Sequence, residues 1–435
     1  MDTKLVRGII VCLLALFPTI AQAQEVEERP RLPGYIAYIG TDYNVYTLNL
    51  EDYTETQLTN DAGQTRRYQW PTWSTDGRLA YFGTFVSEGQ LATSTYISPD
   101  GNTQGELVYT GPELFNYAYW SPGNCEAGER CRDLAVLLSS SARGMLVELV
   151  RDGLDEPVNL TAGLGGPPFY YSWSPDGSRM LWQRNNQRFD IYDANRDRVT
   201  NTLAQTPGLM LAPAWSPVDD RLLFGARTED NTTDLVISEN DEARVIAEDF
   251  AGLVSFNWSP DGNLIAYRER TAQGYGTLFV IDSTSGETVI RSPTTGVISF
   301  FWSPDSQRIA YLTLAALPDT FSAYQASHVP AQSQPPSVGI AWSVLEVSTG
   351  NVTQYGSFFP TPETLYLVQY FDQFAQSHRV WSPDSRHLLY SELTQDGPVI
   401  NLLDITQVGS VPISIADGVV GIWSFESMPS DQTPG

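Results

Sequence analysis

The sequence predicts an all-β fold, a β-propeller of eight four-stranded blades, with seven blades as the alternative. The first observation is a repeated Trp-Ser-Pro-Asp-Gly motif, whose tryptophans are Trp73, Trp120, Trp173, Trp215, Trp258, Trp302, Trp381 and, in a degenerate last copy, Trp423. The second is their spacing, with successive intervals of 47, 53, 42, 43, 44, 79 and 42 residues. A repeat of about 43 residues is long enough for four short strands and their turns, which make one propeller blade.

The segments around each motif are the third observation, and the copy at Trp258 shows them clearly. A short apolar run ends at this tryptophan, and Pro260, Asp261 and Gly262 then supply three residue types that favour a tight turn. Three further strand-like runs follow before the next motif, at residues 264–267, 277–281 and 287–291. Short runs rich in β-branched and aromatic residues, separated by Pro and Gly, predict strands throughout the chain.

The recurring tryptophans are predicted to be structural. Blades of a propeller pack face to face around an axis, so each needs a large apolar side chain to fill the gap between neighbours. One tryptophan buries roughly 150–250 Å². We therefore expect the repeated Trp, Ser, Pro and Asp residues to form the core and the turns, and not a catalytic site.

The two ends of the chain predict how the ring closes. Residues 35–39, 45–50 and 57–59 have the pattern of a second, third and fourth strand without a first, and residues 418–425 have that of a first strand alone. Joined, they would form one composite blade and leave no open sheet edge. Counting this blade gives eight, and seven would result if the weak copy at Trp120 were not a complete blade.

At these motifs the chain resembles the TolB-like family of periplasmic and secreted propellers, whose repeats carry the same Trp-Ser-Pro-Asp-Gly turn. The resemblance covers roughly residues 35–425. It implies the propeller fold but not one function, since similar repeats occur in binding proteins, peptidase propellers and a few lyases. The chain departs from the family's namesake in its larger expected blade number and in having only residues 24–33, without an N-terminal α/β domain, between the signal segment and the first strand.

The N-terminal segment predicts export. Lys4 and Arg7 precede an apolar run at residues 8–20 that is too short to span a bilayer comfortably, and Ala21 and Ala23 suit a signal peptidase. A membrane anchor is the alternative. We expect a signal peptide at 1–23, a linker at 24–33, the propeller at 34–426 and a disordered tail at 427–435. The mature protein would be periplasmic or secreted, with no membrane insertion.

Charge and cysteine content limit the partners. The formal net charge of -26 disfavours nucleic acid, because phosphates require basic patches. Cys125 and Cys131 lie six residues apart around a glycine, and in an exported protein they could pair as a local disulfide. A metal site is the alternative for this pair. We expect a monomer with no cofactor and no metal.

One large insertion accounts for the 79-residue interval and is predicted to lie on the face opposite the motif turns, where propellers usually bind. Its first part, residues 315–337, carries His328. Its second part, residues 358–377, carries Tyr370 and Asp372, and residues 362–376 are predicted to be partly helical because Thr361-Pro362-Glu363 resembles a helix start. Two interpretations stay open, a cap on its own blade and one wall of a ligand cleft.

A second feature is predicted to lie on the same face. Three residues before the repeat tryptophan, successive repeats carry Trp70, Tyr117, Tyr170 and, in a later repeat, His378, and Arg66 is close to the first of these. Strand alternation turns this position toward the mouth of the central channel. Aromatic rings with an adjacent cation suit a sugar, a peptide or an aromatic ligand, whereas ordinary packing at a blade entrance is the alternative.

Catalytic patterns are weak in this sequence. It contains three histidines, no His-Glu-x-x-His pair and no Gly-x-Ser-x-Gly nucleophile elbow. The sequence thus favours an exported scaffold that binds a protein, peptide or glycan on the propeller face. A carbohydrate-active enzyme, a lyase or hydrolase with its site on the same face, is the alternative.

Overall fold

A computed structural model describes residues 29–122, 132–151, 158–160, 167–240, 242–316 and 338–425. One unit, Arg31–Gly435, contains every described strand and helix. The predicted signal peptide, residues 24–28 of the linker, the C-terminal tail, His328, Cys125 and Cys131 lie outside the described residues.

The described strands are antiparallel and run in chain order through successive sheets. The chain begins with β1 (Tyr35–Gly40), β2 (Val45–Asn49) and β3 (Glu55–Gln57). Sheet 2 contains β4 (Arg66–Trp73), β5 (Leu79–Ser87), β6 (Gln90–Ser98) and β7 (Glu106–Gly111). Sheet 3 contains β8 (Leu114–Trp120), β9 (Leu134–Ser140), β10 (Gly144–Val150) and β11 (Val158–Leu160). Sheet 4 contains β12 (Phe169–Trp173), β13 (Arg179–Arg184), β14 (Arg188–Asp193) and β15 (Arg198–Thr202).

The second half of the chain continues the same order. Sheet 5 contains β16 (Ala214–Trp215), β17 (Leu222–Arg227), β18 (Thr233–Glu239) and β19 (Glu242–Phe250). Sheet 6 contains β20 (Leu253–Trp258), β21 (Leu264–Thr271), β22 (Gly274–Tyr275), β23 (Phe279–Asp282) and β24 (Thr288–Arg291). Sheet 7 contains β25 (Val297–Trp302), β26 (Arg308–Ala316), β27 (Val338–Glu346) and β28 (Val352–Phe358). After two helices, β29 (His387–Leu393), β30 (Pro398–Asp404) and β31 (Ile413–Trp423) join β1, β2 and β3 in sheet 1.

The expectation of an all-β propeller is confirmed, but the expected number of eight blades is wrong, because the strands form seven sheets. The cause is β31, which pairs with β30 along its first half and with β1 along its second half. This continuous strand merges the last repeat and the composite unit into one six-stranded sheet. The copy at Trp120 is not the reason for the lower count, since sheet 3 is a complete four-stranded sheet. The predicted sharing of a sheet by the two ends is confirmed, since Ile36 pairs with Trp423.

The repeated tryptophans pack between neighbouring sheets, as the sequence predicts. The indole N–H of Trp120 donates to the carbonyl of Thr72, the residue before the preceding repeat tryptophan, at 3.0 Å. Four other indoles do the same, those of Trp173, Trp258, Trp302 and Trp381. On sheet 2, Arg78 stacks over the Trp120 ring at 4.9 Å. The indoles are therefore wedges that also fasten adjacent sheets together.

The motif turns owe their shape to the Ser and Asp side chains. In the third copy the Ser174 hydroxyl donates to Asp176 at 2.5 Å and accepts the Arg179 N–H at 3.0 Å. Burial by itself would raise the pKa of the Asp176 carboxyl, but hydrogen bonds from Ser174 and Ser178 lower it overall. Gly177 adopts a φ of 70°, the left-handed conformation that glycine tolerates best. The Ser, Asp and Gly side chains and backbone thus hold the shape of this turn.

Two helices lie between sheet 7 and β29, α1 (Pro362–Gln369) and α2 (Phe371–Phe374). Thr361 caps α1, since its hydroxyl accepts the Thr364 N–H at 3.1 Å. The predicted helix at 362–376 is thus present, but it is divided at Tyr370, where the backbone has φ -113° and ψ 30°.

Candidate functional site

Residues 361–378, which we call the plug, cross the centre of the ring. Side chains and backbone groups of the plug contact every sheet, through Val419 on sheet 1, Trp70 on sheet 2, Tyr117 on sheet 3, Tyr171 on sheet 4, Pro213 beside sheet 5, Ser255 on sheet 6 and Phe300 on sheet 7. Except for Pro213, which directly precedes β16, and Val419 on the internal strand β31, these residues lie on the first strand of their sheets. The second part of the insertion is therefore neither a cap on its own blade nor only a cleft wall, because it crosses the central channel.

Phe374 is the aromatic centre of the plug. Its ring centroid lies 4.8 Å from Trp70, 5.2 Å from Tyr117 and 4.9 Å from His378. Burial lowers the pKa of His378 to about 3, so this imidazole is neutral at physiological pH. The predicted aromatic arc does turn toward the channel, but the chain's own Phe374 packs against it.

Hydrogen bonds fix the plug to sheets 3 and 4. Gln373 uses its amide like a strand backbone: its Nε2 donates to the Tyr171 carbonyl at 2.7 Å, and its Oε1 accepts the Tyr171 N–H at 3.1 Å. The Tyr117 hydroxyl lies 3.0 Å from the Gln373 carbonyl and 2.7 Å from the Ser377 hydroxyl. These bonds satisfy buried polar groups that water cannot reach.

Asp372 and Arg268 bring opposite charges into the channel. Asp372 is 2% exposed and accepts the Ser255 hydroxyl at 3.3 Å. Burial raises the pKa of its carboxyl to about 7, although the Arg268 guanidinium acts in the opposite direction. Arg268 donates to the Ile298 carbonyl at 2.7 Å and stacks over Phe371 at 5.2 Å. The pair therefore joins the plug to sheets 6 and 7.

A cavity of about 370 Å³ opens beside α1, and we call it the helix-face cavity. Trp70 and Tyr366 form two of its walls, with ring centroids 5.4 Å apart. A β-bulge in β4 gives Trp70 a φ of 47°, which is unusual for a bulky residue and aims its ring at the channel. Its other described lining residues are Ile39, Tyr43, Arg67, Tyr68, Gln69, Phe115, Asn116, Pro362, Glu363, Val419 and Val420.

The polar groups of the helix-face cavity are suited to a polar ligand. Arg67 is exposed and stacks over the Tyr43 ring at 4.3 Å. Glu363 has one buried carboxylate oxygen without a hydrogen-bond partner among the described residues, and burial raises the pKa of this carboxyl, against the effect of Arg67. The amide nitrogen of Gln69 donates to the Thr84 hydroxyl on sheet 2, and that of Asn116 donates to the Ser139 hydroxyl on sheet 3.

A second cavity of about 300 Å³ lies on the other side of the plug, and we call it the turn-face cavity. Its walls are tryptophans and prolines of the repeated motif, and Ala375, Gln376 and His378 of the plug form its floor. The motif residues are Trp173, Trp215, Trp258, Trp302, Trp381, Pro122, Pro175, Pro217, Pro260 and Pro304. The plug therefore divides the channel into two separate cavities.

The predicted site residues have different surroundings. Trp70, Tyr117, Asp372 and His378 meet at the plug. Arg66 instead bonds the Tyr96 hydroxyl at 2.7 Å and pairs with Asp61 at 3.5 Å. Tyr370 contacts Tyr366 at 4.9 Å, and burial raises the pKa of the half-buried Tyr170.

Several residues of the site were not among the predicted ones. Arg67 and Tyr366 are exposed residues that line the helix-face cavity. The available sequence signal for them was their position near the predicted residues Arg66 and Tyr370. The aromatic content of residues 358–377 was the available signal for Phe374. Gln373 and Arg268 gave none, because their role depends on which sheet each one meets across the channel.

The described residues contain neither a cluster suited to a metal ion nor a helix that could span a membrane. No group of three or more His, Cys, Asp or Glu side chains there could hold a metal ion. Neither helix in this part of the chain is long and apolar enough to cross a membrane.

Comparison with known proteins supports the fold and no particular family. No family model and no curated protein matches the sequence significantly. A crystal structure of the eukaryotic initiation factor superposes with a TM-score of 0.52 at 12% identity, covering 91% of this chain and 100% of that one. TolB from Acinetobacter baumannii gives 0.36 at 13% identity, covering 83% and 84% of the two chains. An oligogalacturonate lyase in complex with manganese gives 0.48 at 13% identity, covering 86% and 96%. At such low identity the similarity concerns the architecture, and the chain is a β-propeller whose family stays open.

Proposed function

We propose that this protein is an exported binding scaffold without catalytic activity, and that its helix-face cavity takes one unit of a glycan or peptide chain. The observation that carries the proposal is the pair of aromatic walls, Trp70 and Tyr366, beside an exposed Arg67. Aromatic walls with a few well-placed polar groups are typical of ligand pockets, and about 370 Å³ is within the usual range of pocket volumes.

The hydrogen-bonding groups support a ligand rich in hydroxyl or amide donors. The amide nitrogens of Gln69 and Asn116 bond within the ring, and no hydrogen bond from the described residues reaches their amide oxygens. Those oxygens are acceptors for the O–H of a sugar or the N–H of a peptide. The Arg67 guanidinium adds N–H donors, which could bind oxygen atoms of the same ligand.

The carboxyl groups favour binding over catalysis. Glu363 is the one carboxylic acid among the described residues that line the helix-face cavity. Glycoside hydrolysis usually needs two carboxyl groups on opposite sides of the bond. The proposal of export is supported by the basic and apolar pattern at the N-terminus.

The proposal is tested by probing a glycan array and a peptide array with the fluorescently labelled protein. We expect binding to a related set of glycans or of peptides, and a loss of affinity of about tenfold or more in Tyr366→Ala, since tyrosines in such walls often dominate binding energy. Leu365→Ala is the matched control, because Leu365 is the 47% exposed neighbour on the same helix and does not line the cavity. Absence of binding on both arrays, or equal losses in both variants, would contradict the proposal.

Elemental analysis of the purified protein separates the scaffold from a metal-dependent enzyme. A scaffold of this kind should retain its array ligand after dialysis against a chelator. Stoichiometric manganese, calcium or zinc together with turnover of the bound glycan would instead support the carbohydrate-active alternative.

A further inference from the structure

Among the tryptophans that line the turn-face cavity, one lacks the indole hydrogen bond that the others make. Four of the five tryptophans that line it donate their N–H to a carbonyl of the preceding sheet. Trp215 does not, and its indole nitrogen is buried without a partner among the described residues. An unpaired buried donor costs about 1–3 kcal/mol, so a site that retains one requires an explanation.

A second unpaired donor lines the same cavity. Asn257 is 7% exposed, and its side-chain Nδ2 has no hydrogen-bond partner in the described part of the chain. Asn257 lies on β20 and Trp215 on β16, the strands nearest the axis in two adjacent sheets. Two unpaired donors in one apolar cavity indicate an oxygen acceptor supplied by a ligand.

The charges around the cavity favour an uncharged ligand. None of its described lining residues is a carboxylic acid. The guanidinium of Arg379 stacks over the Phe425 ring at 4.1 Å and donates to the Phe425 carbonyl at 3.3 Å. His378 in the floor is neutral, because burial lowers its pKa to about 3. A buried ligand cation would therefore lack a counter-ion, and a buried anion would compete with the Phe425 contacts of Arg379.

The shape of the cavity favours a flat ring. The walls are indole and pyrrolidine rings contributed by six of the seven motif copies before Trp423, and the volume of about 300 Å³ is at the lower end for small-molecule pockets. Aromatic rings pack well against such walls. We propose that the turn-face cavity is a second binding site, which takes a small uncharged aromatic molecule with a carbonyl or hydroxyl oxygen that accepts hydrogen bonds from Asn257 and Trp215. This site is independent of the helix-face cavity.

The test uses ¹⁹F NMR titrations of the full protein with three probes of similar size. They are 4′-fluoroacetanilide, which has a carbonyl acceptor, 4-fluorotoluene, which has none, and 4-fluorobenzoate, which is charged. We expect the anilide to bind most tightly. Asn257→Leu, which removes the donor but keeps the size, should weaken the anilide about fivefold and leave 4-fluorotoluene unchanged or tighter.

A second variant protects the test against a loss of folding in Asn257→Leu. Ala375→Leu fills the floor of the cavity and should abolish binding of both neutral probes, whereas Ala243→Leu, on the exposed outer strand β19, should change nothing. Circular dichroism checks that each variant is folded. Binding unaffected by Ala375→Leu, tightest binding of 4-fluorobenzoate, or an equal response of the anilide and 4-fluorotoluene to Asn257→Leu would overturn the proposal.

Discussion

The ring and the plug are built on opposite principles. The ring repeats one structural unit, in which a tryptophan packed between two sheets is followed by a Ser-Pro-Asp turn. The same hydrogen bond from an indole to a carbonyl occurs in five places. The plug occurs once, and each of its contacts is different: an amide pairs with a strand backbone at Tyr171, an aromatic ring meets Trp70, and a carboxyl meets Ser255. Repetition therefore accounts for the shape of the protein, whereas the single insertion determines which parts of the channel are accessible.

The comparison also separates two kinds of stability. A wedge contributes to the packing of two whole sheets, so its loss should affect global unfolding. The plug is held at its centre by a few buried polar groups, so changes there should show first in local opening and in pH dependence. Three substitutions test this difference.

The largest effect is expected for Trp120→Ala. This side chain is 2% exposed, donates to Thr72 and carries the stacked Arg78. Its removal leaves a cavity between sheets 2 and 3 and should lower the free energy of unfolding by about 3–5 kcal/mol. Urea denaturation followed by circular dichroism measures the loss. Val408→Ala, at a position 90% exposed, serves as the control and should change the midpoint very little.

A smaller effect, confined to one pH range, is expected for Asp372→Asn. Burial raises the pKa of the Asp372 carboxyl to about 7 in the folded state, against about 3.9 when unfolded. Between these values the folded chain binds the extra proton, so the contribution of Asp372 to stability falls as pH rises from about 4 to about 7. The variant cannot lose this contribution. The difference in free energy of unfolding between the variant and the wild type should therefore change by about 3 kcal/mol in favour of the variant as the pH rises from about 4 to about 7.

Unfolding free energies of both proteins, measured at half-unit steps from pH 4 to pH 8, test this expectation. Any cost of packing an amide in place of the protonated carboxyl is present throughout the range and shifts the whole curve without changing its slope. Parallel curves for the two proteins would mean that Asp372 stays ionised in the folded state.

The smallest effect is expected for Tyr117→Phe. The substitution removes the hydroxyl that bonds the Gln373 carbonyl and the Ser377 hydroxyl, which should cost about 1–2 kcal/mol. Hydrogen exchange of residues 371–378 should become faster, while the outer strands stay protected. Tyr109→Phe removes a hydroxyl that bonds Glu113, away from the plug, and should leave exchange in 371–378 unchanged. Equal acceleration in both variants would indicate that the plug and the ring open together.

The sequence predicts the repeated part of the molecule well, because each element there depends on nearby residues. Pro260, Asp261 and Gly262 identify a turn without knowledge of the remaining chain, and Thr361 with Pro362 identifies a helix start. The number of sheets could not be obtained in this way. Whether β31 is one strand or two depends on the relative position of β30 and β1, which no local pattern records.

The candidate site is only partly predictable for the same reason. The position of Trp70 before its repeat tryptophan indicates that the ring faces the channel, and the structure agrees. That Phe374 would occupy the same space depends on how the insertion folds back across the axis, over contacts hundreds of residues apart in the chain. The division of the channel into two cavities is therefore a tertiary property.

The shared sheet of β1 and β31 has a consequence for biosynthesis. The Tyr35 N–H donates to the Ser424 hydroxyl at 3.0 Å, although 389 residues separate them in the chain. At synthesis rates of about 5–20 residues per second, one edge of β1 waits on the order of 20–80 s for its partner strand to leave the ribosome. During that time β1 is an open template for strands of other nascent chains, and ring closure is the last event that removes it.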